Sequence, residues 1–346
     1  MKILITGAAG FIGSKFASLL TARGDEIVGI DCINDYYDIR LKLGRLAQCG
    51  IVPEHGFDIS FGEVIQSTKF PDYRFIRMDI SNEDAMNKLF KTERFDKVVN
   101  LAAQAGVRYS ITNPKSYMES NLIGFFNILE CCRHYDVKHL VFASSSSVYG
   151  LNEKTPYAEE DKVDMPVSLY AASKKSNELM AHAYSKLYGF STVGLRYFTV
   201  YGPWGRPDMA PMLFAKAISK GESIKVFNNG DMRRDFTYID DIVEGTIKVL
   251  DKDVVAEDCA NRVPFKVYNI GCGHPMKLMD FISEIESALG KEAKKEFLPM
   301  QPGDVYQTYA DTSRLEAEVG YKPSVSLHQG ISEFIAWYQS DNNPLK

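Results

Sequence analysis

The chain has 346 residues, 45% apolar and 25% charged, with a formal net charge of −5. Those values fit a folded globular protein larger than one small domain, and the acidic balance gives no reason to expect a nucleic-acid or membrane partner. No apolar run reaches bilayer-spanning length. Six cysteines, at 32, 49, 131, 132, 259 and 272, follow no C-x-x-C or metal-ligand spacing, so reduced thiols of a cytoplasmic protein are expected and no metal site.

In chain order, Lys2-Ile3-Leu4-Ile5-Thr6 predicts a short buried parallel strand, and the opening on that strand leaves no export signal expected. Gly7-Ala8-Ala9-Gly10-Phe11-Ile12-Gly13 follows, then a helix over 14–23. Gly7 suits a tight turn, Gly10 a close backbone approach to a pyrophosphate, and Gly13 close packing of helix on strand. With Phe11 and Ile12 they bring phosphates to a helix amino terminus, where free N–H groups and the helix dipole favour anions. A second strand over 26–30 ends in Asp31, where a carboxylate hydrogen-bonds a ribose 2′-hydroxyl and repels a 2′-phosphate. Cys32 rather than an arginine follows, so NAD is expected over NADP.

Further strands are predicted at 74–78, 96–100, 138–143 and 191–197, alternating with amphipathic segments of helical length. The alternation predicts an α/β fold, a Rossmann-type doubly wound parallel sheet covered on both faces. Small residues in Leu101-Ala102-Ala103, directly after the strand at 96–100, suit backbone passing close to the dinucleotide. Residues 48–72, with Pro53, Gly56, Gly62 and Pro71, interrupt the pattern as a surface excursion. From about 200 the pattern weakens into loops, short strands and helices over 239–250 and 276–289. These pieces are expected to form a smaller C-terminal α/β lobe over the sheet's carboxyl ends. The expected division is residues 1–200 for the dinucleotide and 201–340 mainly for the substrate, with 340–346 frayed. Asp240-Asp241 is expected to cap a helix starting near Ile242.

The chemistry centres on Ser144-Ser145-Ser146-Ser147-Val148-Tyr149-Gly150 and on Tyr170-Ala171-Ala172-Ser173-Lys174. A Tyr and a Lys four apart share a helix face, so the Lys174 charge can favour the Tyr170 phenolate. A tyrosine titrating near 10 needs such help to act as a base near neutral pH. A serine on the preceding strand end completes a proton-handling site for a sugar or alcohol hydroxyl.

These motifs together resemble the extended short-chain dehydrogenase/reductase family, in its NAD-dependent epimerase/dehydratase branch. Within it the chain is most similar to nucleotide-sugar 4-epimerases, particularly those acting on UDP-glucuronate. The segments that carry the resemblance are Ile33–Asp38, Asn100–Tyr109, Leu195–Ala210 and Arg234–Asp241, the first and third being specific to the glucuronate branch. The resemblance implies Ser145, Tyr170 and Lys174 as catalytic residues. Ser145 and Tyr170 would hold the sugar 4-oxygen, and Lys174 the nicotinamide ribose. Asp79, with Ile80 at the end of the third strand, would contact the adenine amino group; an N-cap region before Ser81 explains it equally well. Gln104 and Asn121 would reinforce the pocket.

Dehydratases of the branch carry Asp-Glu where this chain has Ser146-Ser147, so elimination of water is disfavoured. Arg206, Thr199, Ser146 and Ser147 would clamp a uronate carboxylate, and Arg234 and Asp304 would hold the UDP moiety. The implied activity is reversible NAD-dependent 4-epimerisation of a UDP-sugar acid, by a homodimer built through helices near 115–134 and 168–188. Alternatives are UDP-glucose or UDP-N-acetylglucosamine 4-epimerisation, then decarboxylation of UDP-glucuronate. A non-enzymatic nucleotide sensor is disfavoured by the presence of both Tyr170 and Lys174.

Overall fold

The computed structural model describes residues 1–53, 59–301 and 305–346. Strand β1 (Lys2–Thr6) leads through the glycine turn into α1 (Phe11–Arg23), and β2 (Glu26–Asp31) returns parallel to β1. Helix α2 (Ile39–Gln48), strands β3 (Val64–Gln66) and β4 (Tyr73–Arg77), helix α3 (Glu83–Glu93) and strand β5 (Lys97–Asn100) follow. The short α4 (Tyr109–Thr112) and α5 (Pro114–Tyr117) run through a π-helical turn, Met118–Ile123, into α6 (Gly124–His134). Strand β6 (His139–Ser145), helix α7 (Leu169–Tyr188) and strand β7 (Ser191–Tyr197) come next. Eight strands form the central sheet, in the order β12-β7-β6-β5-β1-β2-β4-β3, where β12 is Phe265–Ile270.

Every pairing in that sheet is parallel except the one between β3 and β4. Strand side chains alternate between faces, and the two cores divide accordingly. Ile3, Ile5 and Ile27 pack with Phe16 and Leu20 of α1 and with Ile242 and Val243 of the later helix Ile239–Asp251. Leu4, Val28 and Ile30 pack on the other face with Met86 and Phe90 of α3 and Phe125 and Ile128 of α6. A double-sided parallel sheet explains why its strands read as continuous apolar runs.

The remaining elements pair short strands with helices of up to 13 residues. They are β8 (Thr199–Tyr201), α8 (Ala210–Lys220), β9 (Ser223–Val226), β10 (Arg233–Arg234), β11 (Phe236–Tyr238), α9 (Ile239–Asp251), β13 (Met276–Lys277), α10 (Leu278–Leu289), β14 (Lys294–Phe297), α11 (Ser313–Val319) and α12 (Leu327–Gln339). The chain beyond 200 thus makes three two-stranded ribbons and also adds β12 to the edge of the main sheet, beside β7.

Three expectations need correction. Residues 64–66 of the excursion form β3, an antiparallel edge strand on β4; three residues with exposed Val64 give too short an alternation to read. The carboxyl-terminal residues are not frayed: Asn343 is 4% exposed and donates from Nδ2 to the Tyr338 carbonyl at 2.8 Å, while Leu345 packs against the core. Asp241 does not cap a helix beginning near Ile242, because α9 already starts at Ile239. Its carboxylate instead accepts from the backbone N–H groups of Ser324 (2.9 Å) and Val325 (3.1 Å), fixing a loop distant in sequence. All six cysteines are free thiols. Among the described residues no helix is long and apolar enough to cross a membrane, and no group of three or more His, Cys, Asp or Glu is placed to hold a metal.

Candidate active site

A cavity of about 460 Å³ lies at the carboxyl ends of the parallel strands, the position where ligands of such sheets bind. One end is built from the glycine turn. Gly7 sits at φ +71°, and a Cβ there would meet the Ala102 backbone nitrogen at 2.8 Å. A Cβ on Gly13 would lie 2.2 Å from the Gly7 carbonyl oxygen, so helix and turn close only on glycine. The Ncap residue of α1 is Gly10, which supplies no side-chain acceptor, so the first-turn N–H groups are left for an anion. Thr6 ties the opposite lip in place: its hydroxyl donates to Asn100 Oδ1 at 2.7 Å and accepts from the Ala102 N–H at 3.0 Å.

Gly7, Gly10, Phe11, Ile12, Gly13, Asp31, Asp79, Ile80, Leu101, Ala102 and Ala103 all line this cavity. Asp31 accepts from the Ile33 N–H at 2.8 Å at the end of β2. Asp79 accepts from both the N–H and the hydroxyl of Ser81 at 2.8 Å, while Asn82 is the residue that caps α3. Asp79 therefore belongs to a turn on the cavity wall and not to the cap itself. The glycine cradle, the uncapped helix and the carboxylate fit a dinucleotide: Gly10–Gly13 would hold the phosphates and Asp31 a ribose. Gln104 lines the cavity as well. Asn121, in the π-helical turn, accepts from the Gln104 N–H (2.8 Å) and donates to the Ser173 hydroxyl (2.9 Å), pinning that wall to α7.

Ser145, Tyr170 and Lys174 meet in the middle of the cavity. Ser145 ends β6 and its hydroxyl oxygen accepts from both the N–H (3.2 Å) and the hydroxyl (2.9 Å) of Ser147. Its own proton is free for the Tyr170 oxygen, and the order Ser147, Ser145, Tyr170 makes a hydroxyl relay. Burial pushes the Tyr170 phenol above its ordinary value; the Ser145 hydrogen bond and the Arg206 charge oppose that rise. Lys174, whose charge was expected to favour the phenolate, is not among the groups that lower the phenol. Its ammonium donates to the Ala143 carbonyl at 2.9 Å, and burial brings it down to about 8.

At the far end stand Ser146, Ser147, Thr199, Arg206 and Arg234. Arg206 is bound along one edge by Asp208, from Nε at 3.1 Å and Nη2 at 2.5 Å, and Asp208 also accepts from the Tyr36 hydroxyl at 2.9 Å. Asp208 takes the Nε/Nη2 edge, and the Tyr36 hydroxyl is hydrogen-bonded to the guanidinium as well. Arg234 donates to the carbonyls of Arg233 (2.9 Å) and Tyr306 (3.0 Å). Asp304 lies outside the described residues.

Sequence reasoning missed several wall residues. Lys42 is 5% exposed, donates to Asn34 Oδ1 at 2.7 Å, and stands 3.8 Å from Asp31. Tyr36, Tyr37, Tyr149 and Thr308 line the cavity too. In α2, Lys42 and Arg45 lie with Leu41, Leu43 and Leu46 on the buried face, a placement that the sequence pattern of an amphipathic helix does not reveal. Behind the serines, Glu178 of α7 accepts from the Ser144 hydroxyl (2.7 Å) and from Arg196 Nε (2.8 Å) and Nη2 (2.9 Å).

A model described as the NAD dependent epimerase/dehydratase family matches residues 3–271. Over 98% of both chains the sequence is 48% identical to Protein CapI of Staphylococcus aureus. It is 42% identical to a probable UDP-glucuronate 4-epimerase of Rhizobium meliloti, over 99% of this chain and 98% of that one. In three dimensions it is similar to the UDP-glucuronic acid 4-epimerase of Bacillus cereus in complex with UDP-glucuronic acid and NAD. That likeness has a TM-score of 0.83 at 36% identity, over 97% of this chain and 98% of the other. Glycine cradle, Tyr-Lys helix, sheet order and matched length agree: the chain belongs to the NAD dependent epimerase/dehydratase family.

Proposed function

We propose that the protein catalyses reversible NAD-dependent 4-epimerisation of UDP-glucuronate to UDP-galacturonate through a transient 4-keto sugar. One observation carries the choice of substrate. The cavity that holds Ser145, Tyr170 and Lys174 also holds Arg206, fixed along its Nε/Nη2 edge by Asp208. A planar guanidinium so presented suits the two oxygens of a carboxylate. NAD, when bound, supplies a reversible hydride acceptor for the sugar C4–H.

The chain's own groups handle the rest. The Tyr170 oxygen takes the 4-hydroxyl proton and later returns it, Ser145 holds the same sugar oxygen, and Ser147 steadies Ser145. Lys174 reaches the nicotinamide ribose. Thr199, Ser146 and Arg206 hold the uronate carboxylate. A 4-keto uronate is a β-keto acid and can lose carbon dioxide, so gripping the carboxylate also keeps the breaking bond out of alignment. Arg234 and Asp304 serve the UDP moiety. Ser146-Ser147 offers no carboxylic acid for elimination of water.

The reading extends to a cytoplasmic homodimer that supplies UDP-galacturonate to surface polysaccharide synthesis. Its supports are six unpaired thiols and exposed apolar side chains on α6 and α7. The experiment is incubation of purified protein with UDP-glucuronate and no added NAD, resolving the sugar nucleotides. UDP-galacturonate alone is expected. UDP-pentose with carbon dioxide would make the protein a decarboxylase, and turnover of UDP-glucose alone would remove the role given to Arg206.

A further inference from the structure

Arg45, on the buried face of α2, is 1% exposed, and among the described residues none of its hydrogen bonds reaches a carboxylate. A guanidinium buried without an acid is costly, so simple packing does not account for it. Its fork is instead spread over three backbone carbonyls and one phenol. Nε and Nη2 donate to Trp204 O at 3.0 and 2.7 Å, and Nη2 also reaches Gly205 O at 3.4 Å. Nη1 donates to Ala9 O at 3.2 Å and to the Tyr37 hydroxyl at 2.7 Å.

The carbonyl partners lie next to two different walls of the cavity, beside the lining residues Gly10 and Arg206. Ala9 lies inside the Gly7–Gly10 turn, whereas Trp204 and Gly205 immediately precede Arg206. The fit of α2 against the second wall is close: a Cβ on Gly44 would come within 2.7 Å of Trp204 Cζ3. Trp204 itself is held at φ +65°, with its ring 5.2 Å from that of Trp337. A non-glycine residue in the left-handed region persists only where its surroundings fix it.

We propose that Arg45 is a positioning residue that ties the Arg206 loop to the glycine turn, so that one side chain sets both the carboxylate-binding arginine and the dinucleotide's phosphate seat. The inference rests on the reading of Arg206 given above. It also joins segments 33–38 and 202–210, far apart in sequence, into one unit: Tyr36 donates to Asp208, Tyr37 accepts from Arg45, and Arg45 donates to the Trp204 carbonyl of the loop.

The test is Arg45→Lys in two backgrounds, wild type and Arg206→Ala. A lysine can reach one carbonyl but cannot bridge Ala9 and Trp204. In the wild-type background the KM for UDP-glucuronate should rise roughly tenfold while kcat stays within about twofold. The fraction of protein purified with NAD should also fall, which Arg206→Ala should not cause. In the Arg206→Ala background Arg45→Lys should add no further KM penalty, because a residue acting through another is silent once that other is gone. A residue that only stabilises the fold would instead lower the melting temperature and penalise both backgrounds equally. If Arg206→Ala raises KM but Arg45→Lys does not, or if the penalties add, the inference fails while the reading of Arg206 stands. If Arg206→Ala leaves KM unchanged, that reading fails and the inference with it. Should Arg45→Lys not fold, Tyr37→Phe removes a single acceptor, and the same silence in the Arg206→Ala background is required of it.

Discussion

Tyr170 and Lys174 are set against one another by the same burial. Leaving water disfavours the phenolate and the ammonium alike, so the tyrosine is pushed up and the lysine comes down to about 8. Replacing Tyr170 by Phe keeps the ring against Tyr117 and removes only the oxygen. Epimerisation should fall by about three orders of magnitude or more with NAD still bound, read as turnover and as the absorbance of retained cofactor. A Phe variant with near-normal rate would end the proton-transfer role. Lys174 carries a stability cost whose sign is fixed. Its folded value lies below the ordinary 10.5, so the cost is fully present below about pH 8 and is relieved as pH rises toward 10.5. Lys174→Met should therefore be inactive yet melt higher than wild type at pH 7, by at most about 3 kcal/mol. That advantage should disappear by pH 10.5; a variant that melts lower at pH 7 would contradict it. At this scale the sequence was most legible where spacing and chemistry coincide, as in the glycines, Asp31, the serine run and Tyr170 with Lys174. Arg45, Lys42 and Asp208 were not, because a single charged residue in a helix or loop reads as solvated until its neighbours in space are known.

Strand β7, strand β6 and helix α7 are joined behind the site by a buried ion pair. Glu178 stands one turn beyond Lys174 on α7, Arg196 is on β7, and Ser144 on β6 donates to the same carboxylate. Burial alone would raise Glu178, but its hydrogen bonds with Arg196 and Ser144 and the Arg196 charge hold it below the ordinary carboxylate value. Its contribution is thus present above about pH 4.5 and is lost as pH falls through the lowered folded value. Arg196 continues the network through Nη1 to the Tyr149 hydroxyl at 3.0 Å. Glu178→Gln leaves that guanidinium uncompensated and should cost on the order of 3–5 kcal/mol in denaturant unfolding. A loss below about 1 kcal/mol would show that water reaches the pair. Because Ser144 is bonded to Glu178 and adjoins Ser145, the same variant should also lower kcat. Elements were legible in proportion to their regularity. The six strands read from the sequence correspond to β1, β2, β4, β5, β6 and β7, all buried in a double-sided sheet. Strand β3 and the role of Asp241 were hidden, since the first is a three-residue edge and the second depends on a loop 83 residues away.

For the whole molecule, the sheet is completed by β12 from the later part of the chain, and Thr199, Arg206 and Arg234 are carried to the cavity by segments that follow β7. Ser145, Tyr170, Lys174 and Arg206 are thus brought to one cavity by segments of the same chain. An exposed apolar feature lies elsewhere. Met118, Ile123 and Phe126, around the start of α6, are exposed together with Leu179 and Leu187 of α7, the last at 69%. A spacing of three places Ile123 beside Phe126 on one helical face, and a spacing of eight leaves Leu179 and Leu187 on the same broad side of α7. Two neighbouring helices with apolar outer faces suit a second copy related by a two-fold axis, forming a four-helix contact. Sedimentation at micromolar concentration should give a dimer. A double variant, Phe126→Glu with Leu179→Glu, puts like charges into that contact and should give a monomer. Because Ser145, Tyr170, Lys174 and Arg206 are carried by the same chain, the monomer should keep kcat within about threefold, with any loss appearing in thermal stability, since an apolar face returned to water no longer contributes about 25 cal/mol per Å². Inactivation without unfolding would mean that the partner shapes the cavity through the Asn121 turn, which lies between these exposed residues and Gln104. A wild-type monomer would leave the two apolar faces to some other occupant and remove the dimer from the proposed function.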